Sequence, residues 1–103
     1  MGEEGMPKGY IIARVTVEDS ERYAEYAKGS GAAAQKHGAR ALVRGGRFEA
    51  LEGDARARNV VLEFDSYDAA RAYYYSPEYQ AAREHRLGAA QADILLVEGF
   101  DPA

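Results

Sequence analysis

Charged residues within otherwise apolar strands are the features of this sequence that point most directly to chemistry. Arg14, Arg44 and Glu63 each lie in a segment rich in β-branched and apolar residues, which is typical of a strand. The three strands are predicted to be neighbours, and a charge on a covered sheet face must be paired, so Arg44 or Arg14 is expected to pair with Glu63. The same residues could hold an anionic ligand. The alternative is a structural ion pair or an edge charge in solvent.

Arg44 is the strongest of these candidates for contact with a ligand. Its planar guanidinium suits a carboxylate or an enolate-like anion better than a lysine would. Side chains alternate between the two faces along a strand, and this alternation predicts that Arg44 and Glu63 project from the same, helix-free face of the sheet. The two residues are therefore predicted to be energetically coupled.

The two histidines predict no metal site. The chain has no cysteine, which excludes thiolate ligands, thiol nucleophiles and disulfides, and His37 and His85 lack the spacing of a metal-binding pair. His37 precedes Gly38 at a predicted helix end, where a cap is its ordinary role, although its near-neutral titration also suits a base. His85 lies in the charged run 83–86, which is typical of a solvated helix face.

Tyrosines form a second group with two possible roles. Tyr73, Tyr74 and Tyr75 are consecutive, so helical geometry prevents all three from lying in the core. Tyr79 lies one turn beyond Tyr75. Packing in the core and at the lip of a pocket is one role, and donation of a phenol hydrogen bond to a ligand is the other.

Common nucleophile and phosphate motifs are missing. No GxSxG occurs, and Ser20, Ser66 and Ser76 all lie where a helix cap is expected. Gly45-Gly46 lacks the GxxxxGK[ST] pattern of a phosphate loop.

Periodicity and turn residues predict four strands and two helical regions. Asp19 or Ser20 begins the first helix, Gly29-Ser30-Gly31 is expected to break or kink it, and Ser76-Pro77 restarts the second helix. The predicted strands are 10–17, 41–44 with a continuation over 47–51 after a turn or bulge, 59–65 and 92–99, with a polar loop over 53–58.

This βαββαβ order predicts an α+β, ferredoxin-like fold. Right-handed crossovers give a four-stranded antiparallel sheet in the order 4-1-3-2, with both helical regions on one face. RNA-recognition modules share the order, but they carry stacking aromatics on the sheet face, where this chain has Val61 and Glu63. A nucleic-acid partner is therefore not expected.

Composition indicates one small domain with a thin core. Of 103 residues, 20 are alanine and only 18 are Leu, Ile, Val or Phe, so covering the free sheet face, including Ile12 and Leu95, with a second copy would stabilise the chain. A homodimer is therefore predicted.

The net charge of −4 also disfavours nucleic acid, and no apolar run is long enough to span a membrane. We expect a cytoplasmic protein with its domain at 8–100, after a disordered or vector-derived extension at 1–7.

Three stretches of the sequence resemble a bacterial family of about a hundred residues, known as a domain of unknown function within the dimeric α/β-barrel superfamily. They are KGYIIARV, ALVRGGRFEALEG and VVLEFDSYDAARAYYYSPEYQAAREHRLGAAQADILLVEG, and the resemblance covers residues 8–100. Leu42-Val43-Arg44-Gly45-Gly46 and Ser76-Pro77-Glu78-Tyr79-Gln80, followed by Arg86 and Gly88, are specific together. The chain has Asp19-Ser20-Glu21 where the family commonly has Asp-Pro-Glu.

The resemblance implies a homodimer whose two sheets pack face to face. It also implies five candidate site residues: Arg44, Glu63, Ser76, Tyr79 and Arg86. Relatives in the superfamily include cofactor-independent quinone-forming monooxygenases, chlorite dismutases and haem-degrading enzymes, but a shared fold does not transfer their reactions.

Three hypotheses about function follow. The first is a ligand-binding or stress-associated module without turnover, which takes a small apolar or anionic molecule. The second is a cofactor-independent enzyme of monooxygenase or isomerase type acting on a small aromatic or carbonyl substrate, with His37 or a tyrosine transferring a proton and Arg44 steadying an anion. The third is a structural or regulatory dimer. A pocket enclosing Arg44 and a tyrosine favours the first two, and a filled core favours the third; no cofactor is predicted.

Overall fold

The structure is a computed structural model that describes residues 7–101. The extension expected at residues 1–7 lies, apart from its last residue, outside this range. The described chain forms, in order, β1 (Gly9–Val17), α1 (Ser20–Lys36), β2 (Arg40–Arg44), β3 (Arg58–Phe64), α2 (Tyr67–Tyr74), α3 (Pro77–Arg86) and β4 (Ala90–Glu98).

The four strands form one antiparallel sheet in the order β2-β3-β1-β4, which confirms the predicted topology. Alternation along β1 buries Ile11, Ala13 and Val15 beneath the helices. The opposite face carries Ile12, which lies opposite Val61 of β3 and Leu95 of β4. No helix of the described chain is long and apolar enough to cross a membrane.

The expected break in the first helix is wrong. Helix α1 is continuous from Ser20 to Lys36 and ends at His37, whose backbone N–H donates to the Ala33 carbonyl at 3.1 Å. Gly29 has a packing role instead, because a Cβ added there would lie 2.9 Å from the Ala82 Cβ of α3. The glycine therefore lets α1 and α3 approach closely, and tertiary packing outweighs its low helix propensity.

The expected strand continuation over residues 47–51 is also wrong. Residues 45–57 form an irregular loop, and Leu51 is 83% exposed. The Gly45 N–H donates to the Asn59 carbonyl at 2.8 Å, and beyond this hydrogen bond the chain leaves the sheet. No strand of the described chain lies beside residues 47–51, so their backbone N–H and C=O groups have no sheet hydrogen bonds to make. The alternation of apolar and polar side chains is therefore not enough to form a strand there.

The helix caps confirm the boundaries predicted in the second half of the chain. The Ala69 N–H donates to Ser66 Oγ at 3.0 Å, and the Tyr79 N–H donates to Ser76 Oγ at 3.1 Å. Pro77 occupies the first turn of α3, where its missing N–H costs nothing. These caps fix where α3 starts and therefore which way Tyr79 points.

The core lies between the sheet and the helices, and it is incompletely filled. Phe64, Ala70 and Tyr79 are buried at its centre, but α1 makes its closest backbone approach to α3 rather than to the sheet. Alanines on the sheet-facing side of α1, including Ala27 and Ala34, are too short to fill the space that remains. A cavity therefore lies between α1 and the sheet.

Candidate functional site

The cavity between α1 and the sheet has a volume of about 260 Å³. Its inner wall comes from β1 and β3, including Ile11, Val15 and Leu62, and its roof comes from α1. For scale, an apolar cavity of about 150 Å³ can hold benzene. The space thus suits a molecule with one or two rings.

The cavity opens at the edge of the sheet formed by β2. Lining residues on that side, including Gln35, Ala41 and Arg44, are exposed, whereas Tyr73 and Tyr79 at the opposite side are buried. A ligand entering past β2 would bring its inner end against tyrosines.

Five tyrosines line the cavity: Tyr23, Tyr26, Tyr73, Tyr74 and Tyr79. The ring of Tyr79 lies 5.1 Å from that of Tyr73 and 4.9 Å from that of Tyr74, and it meets Tyr26 edge-on at 6.0 Å. Tyr75 projects into solvent with 63% exposure, which confirms that the three consecutive tyrosines cannot all be core.

The hydroxyls of Tyr26 and Tyr79 lie 2.9 Å apart and share a hydrogen bond in the buried wall. Burial is the main cause that raises the pKa of Tyr26, and it also raises the pKa of Tyr73. Both phenols therefore stay protonated across the physiological range and act as neutral hydrogen-bonding groups.

Arg86 supports this tyrosine wall from behind. Its guanidinium carbon lies 5.2 Å from the Tyr26 ring centroid, and only 8% of the residue is exposed. Burial by itself would lower the pKa of Arg86, but the Tyr79 and Tyr26 hydroxyls outweigh it and raise that pKa. Within residues 7–101, Arg86 Nε has no hydrogen-bond partner, so a buried positive charge stands behind the phenols.

Arg44 lines the cavity, not the helix-free face on which strand parity placed it. The pairing of β2 with β3 shifts register between Ala41 and Val43, so Val43 lies opposite Val61 and Arg44 lies opposite Val60. Val60 belongs to the helix side of β3, and a bulge re-aims the side chains that follow it. The predicted coupling of Arg44 with Glu63 is therefore wrong, because the two side chains project from opposite faces.

Arg58 lines the cavity, although its sequence context did not point to it. It was assigned to a polar loop, but it is the first residue of β3 and shares the parity of Val60. Its Nε donates to the Tyr23 hydroxyl at 3.1 Å, and its guanidinium carbon lies 5.6 Å from the Tyr23 ring centroid. Arg58 lies two residues before Val60 and four before Leu62. Extending the alternation of β3 by one residue toward the N-terminus would therefore have placed Arg58 on the cavity side of the sheet.

Glu63 lies on the helix-free face and pairs with Arg40 instead of Arg44. Arg40 Nε donates to Glu63 Oε1 at 2.8 Å, and the Tyr10 hydroxyl donates to Glu63 Oε2 at 2.8 Å. The hydrogen bond from Arg40, followed by that from Tyr10, lowers the pKa of the Glu63 carboxyl. The expected ion pair on this face is present with a different arginine.

Arg14 also belongs to the helix-free face. Its Nη2 lies 3.5 Å from Asp93 Oδ2. The loop residue Arg56 donates to the same Asp93 oxygen at 2.9 Å and to Thr16 Oγ1 at 2.8 Å. Arg14 and Glu63 are therefore separated from the cavity by the thickness of the sheet.

His37 lies near the buried side of the site but does not line the cavity. Its ring centroid is 6.2 Å from that of Tyr73, and its Nε2 lies 3.7 Å from Glu78 Oε1. Glu78 forms a close ion pair with Lys36, which is the main cause that lowers the pKa of Glu78 to about 2. This polar cluster joins the end of α1 to the start of α3.

Ser76 acts structurally next to the site. Besides capping α3, its hydroxyl donates to the Tyr73 carbonyl at 2.7 Å, and the residue is buried. It thereby ties the helix of Tyr73 to the helix of Tyr79.

The predicted site residues thus divide into three groups. Arg44 and Tyr79 line the cavity, Ser76, Arg86 and His37 surround its tyrosine wall, and Arg14 and Glu63 lie on the other face of the sheet. The described residues contain no cluster of side chains suited to a metal ion.

Comparison with known proteins identifies the fold and a family. A family model described as "Domain of unknown function (DUF1330)" matches residues 8–100. No functionally curated protein matches the chain.

Several solved structures share the fold at low sequence identity. A protein of unknown function from Rhodopseudomonas palustris superposes with a TM-score of 0.72 at 20% identity, over 93% of this chain and 85% of that one. SnoaB, a cofactor-independent oxygenase from Streptomyces nogalater, gives a TM-score of 0.62 at 14% identity, over 88% and 91%. A dimeric ferredoxin-like protein of unknown function from Bacteroides fragilis gives 0.58 at 16% identity, over 88% and 95%.

Proposed function

This chain belongs to the DUF1330 family, and from that premise we propose that it binds a small aromatic molecule in the cavity between α1 and the sheet. The observation that carries the proposal is the cavity itself, about 260 Å³ walled by tyrosine rings and aliphatic side chains. Ligand pockets are typically concave and mostly apolar, with a few placed polar groups. The tyrosine hydroxyls and rim arginines supply those groups here.

The lining of the cavity is mostly apolar, and the cavity is open to solvent at the β2 edge. Removing apolar surface from water is favourable, so a ligand that covers this lining gains binding free energy. An open, mostly apolar cavity therefore favours a binding protein over a dimer whose role is purely structural.

Cavity filling tests the proposal. Ala27 lines the cavity from α1, so Ala27→Leu should occupy it and abolish binding of toluene, measured by calorimetric titration and by the rise in melting temperature. Ala24→Leu adds the same bulk at an exposed position of the same helix and should bind toluene like the wild type. No toluene binding by the wild type, or equal binding by Ala27→Leu, would refute the cavity as the site.

We further propose that the protein is a homodimer joined through the helix-free sheet face. An apolar row crosses that face in register: Val43, Val61, Ile12 and Leu95. Leu95 is 53% exposed in the single chain. The ion pairs Arg14–Asp93 and Arg40–Glu63 lie beside the row on the same face, and a polar rim around an apolar centre is common in protein interfaces. The Bacteroides fragilis neighbour is described as dimeric, which supports an assembly of two copies.

Substitution on the row tests the dimer. Leu95→Glu should place an unpaired charge in the interface and reduce the mass by light scattering from twice 11.3 kDa to that of one chain. Leu51→Glu, in the exposed loop, should leave the dimer intact. A wild-type mass of one chain at micromolar concentration contradicts the proposal.

A cofactor-independent enzyme is the second candidate. The observation that favours it is the hydrogen-bonded hydroxyl pair of Tyr26 and Tyr79, two residues that line the cavity, with the buried Arg86 behind them. Positioned hydrogen-bond donors of this kind stabilise developing negative charge in enzymes. The oxygenase SnoaB shares the fold. Mass spectrometry of aromatic compounds recovered after incubation in air separates the two: unchanged compounds support binding alone, and an altered compound whose formation Tyr79→Phe abolishes supports catalysis.

A further inference from the structure

Two strand arginines share the mouth of the cavity. Arg44 lies opposite Val60, and Arg58 is two residues before Val60 on the same face, so the arginines are diagonal neighbours on adjacent strands. None of the described residues that line the cavity is acidic. Like charges at this spacing repel each other, so the rim is electropositive without an internal counter-charge.

In the part of the chain that the structure describes, arginines on the other face of the sheet have carboxylate partners, unlike the two at the mouth of the cavity. The strand arginines on the helix-free face, Arg14 and Arg40, each lie close to a carboxylate. Within residues 7–101, Arg44 makes no hydrogen bond or ion pair, and Arg58 bonds to the neutral Tyr23 hydroxyl. The cavity-side arginines therefore retain donors for an anion that residues 7–101 do not supply.

Local backbone features place these two guanidinium groups. The bulge between Ala41 and Val43 turns Arg44 toward the cavity instead of the open face. Gly45 has φ +69°, and a Cβ there would lie 2.6 Å from Arg58 Nη1, so this glycine makes room for Arg58. With Tyr23 on another side, the Arg58 guanidinium is held in place before any ligand arrives, which reduces the entropy cost of binding.

We propose that the ligand of this cavity is a small aromatic carboxylate, with its ring among the tyrosines and its carboxylate bound by Arg44 and Arg58. The inference rests on the proposed function and narrows it to a chemical class. The rim supplies a forked donor that matches the two carboxylate oxygens. The cavity wall supplies tyrosine rings and aliphatic groups for an apolar ring, so neither part of the ligand is left without a partner.

The experiment compares benzoate with benzamide, a neutral molecule of nearly the same shape. Calorimetric titrations are run with the wild type, Arg44→Gln and Arg58→Gln, and with Arg47→Gln as the control, since Arg47 lies in the adjacent loop outside the cavity. Loss of a charge-assisted hydrogen bond should weaken benzoate binding roughly 10- to 100-fold in the first two variants. Benzamide can lose at most one hydrogen bond to its carbonyl oxygen and should therefore weaken less than benzoate in both variants. In Arg47→Gln, both affinities should stay within about 3-fold of the wild type.

The outcomes separate this inference from the proposed function. If toluene and benzamide bind but benzoate binds no tighter than benzamide, the carboxylate assignment is overturned and the proposed function stands. If neither toluene nor either probe binds, both fail. Acetate should not displace benzoate at equal concentration, and displacement would overturn the aromatic part of the assignment. Arg58→Lys serves as a second variant if circular dichroism shows Arg58→Gln to be unfolded, and it too should bind benzoate more weakly because a lysine lacks the fork.

Discussion

Ser76→Ala should destabilise the protein about twice as much as a simple cap removal. The hydroxyl of this buried residue makes two hydrogen bonds, accepting from the Tyr79 N–H at 3.1 Å and donating to the Tyr73 carbonyl at 2.7 Å. Loss of a helix cap costs about 1 kcal/mol. Loss of the second intramolecular bond costs about 1 kcal/mol more, which gives about 2 kcal/mol in total.

Ser66→Ala is the matched control for this prediction. Ser66 caps α2 through one bond to the Ala69 N–H at 3.0 Å, and its side chain is less buried than that of Ser76. Its loss should therefore cost only about 1 kcal/mol. Ser76→Thr keeps a hydroxyl at the same place and should lose less than half as much stability as Ser76→Ala.

Urea unfolding, followed by circular dichroism at one fixed protein concentration, measures all three variants. The concentration must be constant because association of two chains contributes to apparent stability. Equal losses for Ser76→Ala and Ser66→Ala would show that the bond to the Tyr73 carbonyl contributes nothing, and the account of how α2 and α3 are joined would fail.

Two further predictions concern α1 and the contact between its end and α3. Gly31→Ala should raise the free energy of unfolding by up to about 1 kcal/mol in urea, because its Cβ would meet nothing closer than 3.8 Å; Gly29→Ala should lower it, because its Cβ would lie 2.9 Å from that of Ala82. Stabilisation by both would refute the packing role of Gly29. Lys36 holds the pKa of Glu78 at about 2, below its ordinary 4.5, so the contribution of Glu78 is present above pH 4.5 and is lost as the pH falls toward 2. Glu78→Gln should flatten the dependence of stability on pH in that window, whereas the exposed Glu84→Gln should not, and identical profiles would contradict the assignment.

Much of the fold followed from local signals. The alternation of Ile11, Ala13 and Val15 predicted the buried face of β1, and Ser76 with Pro77 predicted the start of α3, because these features depend on backbone geometry and capping within a few residues. The same local rules predicted that Tyr75 or one of its neighbours must leave the core. Together with chain crossover rules, they were sufficient for the order of the strands.

The site itself depended on tertiary structure. One bulge in β2 moved Arg44 from the predicted open face to the cavity and left Arg40 to pair with Glu63, since a shift of one residue in register reverses every side chain that follows. Gly29 stays helical because α3 packs against it.

What the sequence by itself determined is the set of elements, their caps and the tyrosine-rich stripe of the helices, all of which arise from interactions between near neighbours in the chain. Only the tertiary structure decided which arginines face the cavity, where Glu63 finds its partner, and how far α1 stands from the sheet. These depend on register and packing between segments far apart in sequence, which periodicity within a single segment does not encode.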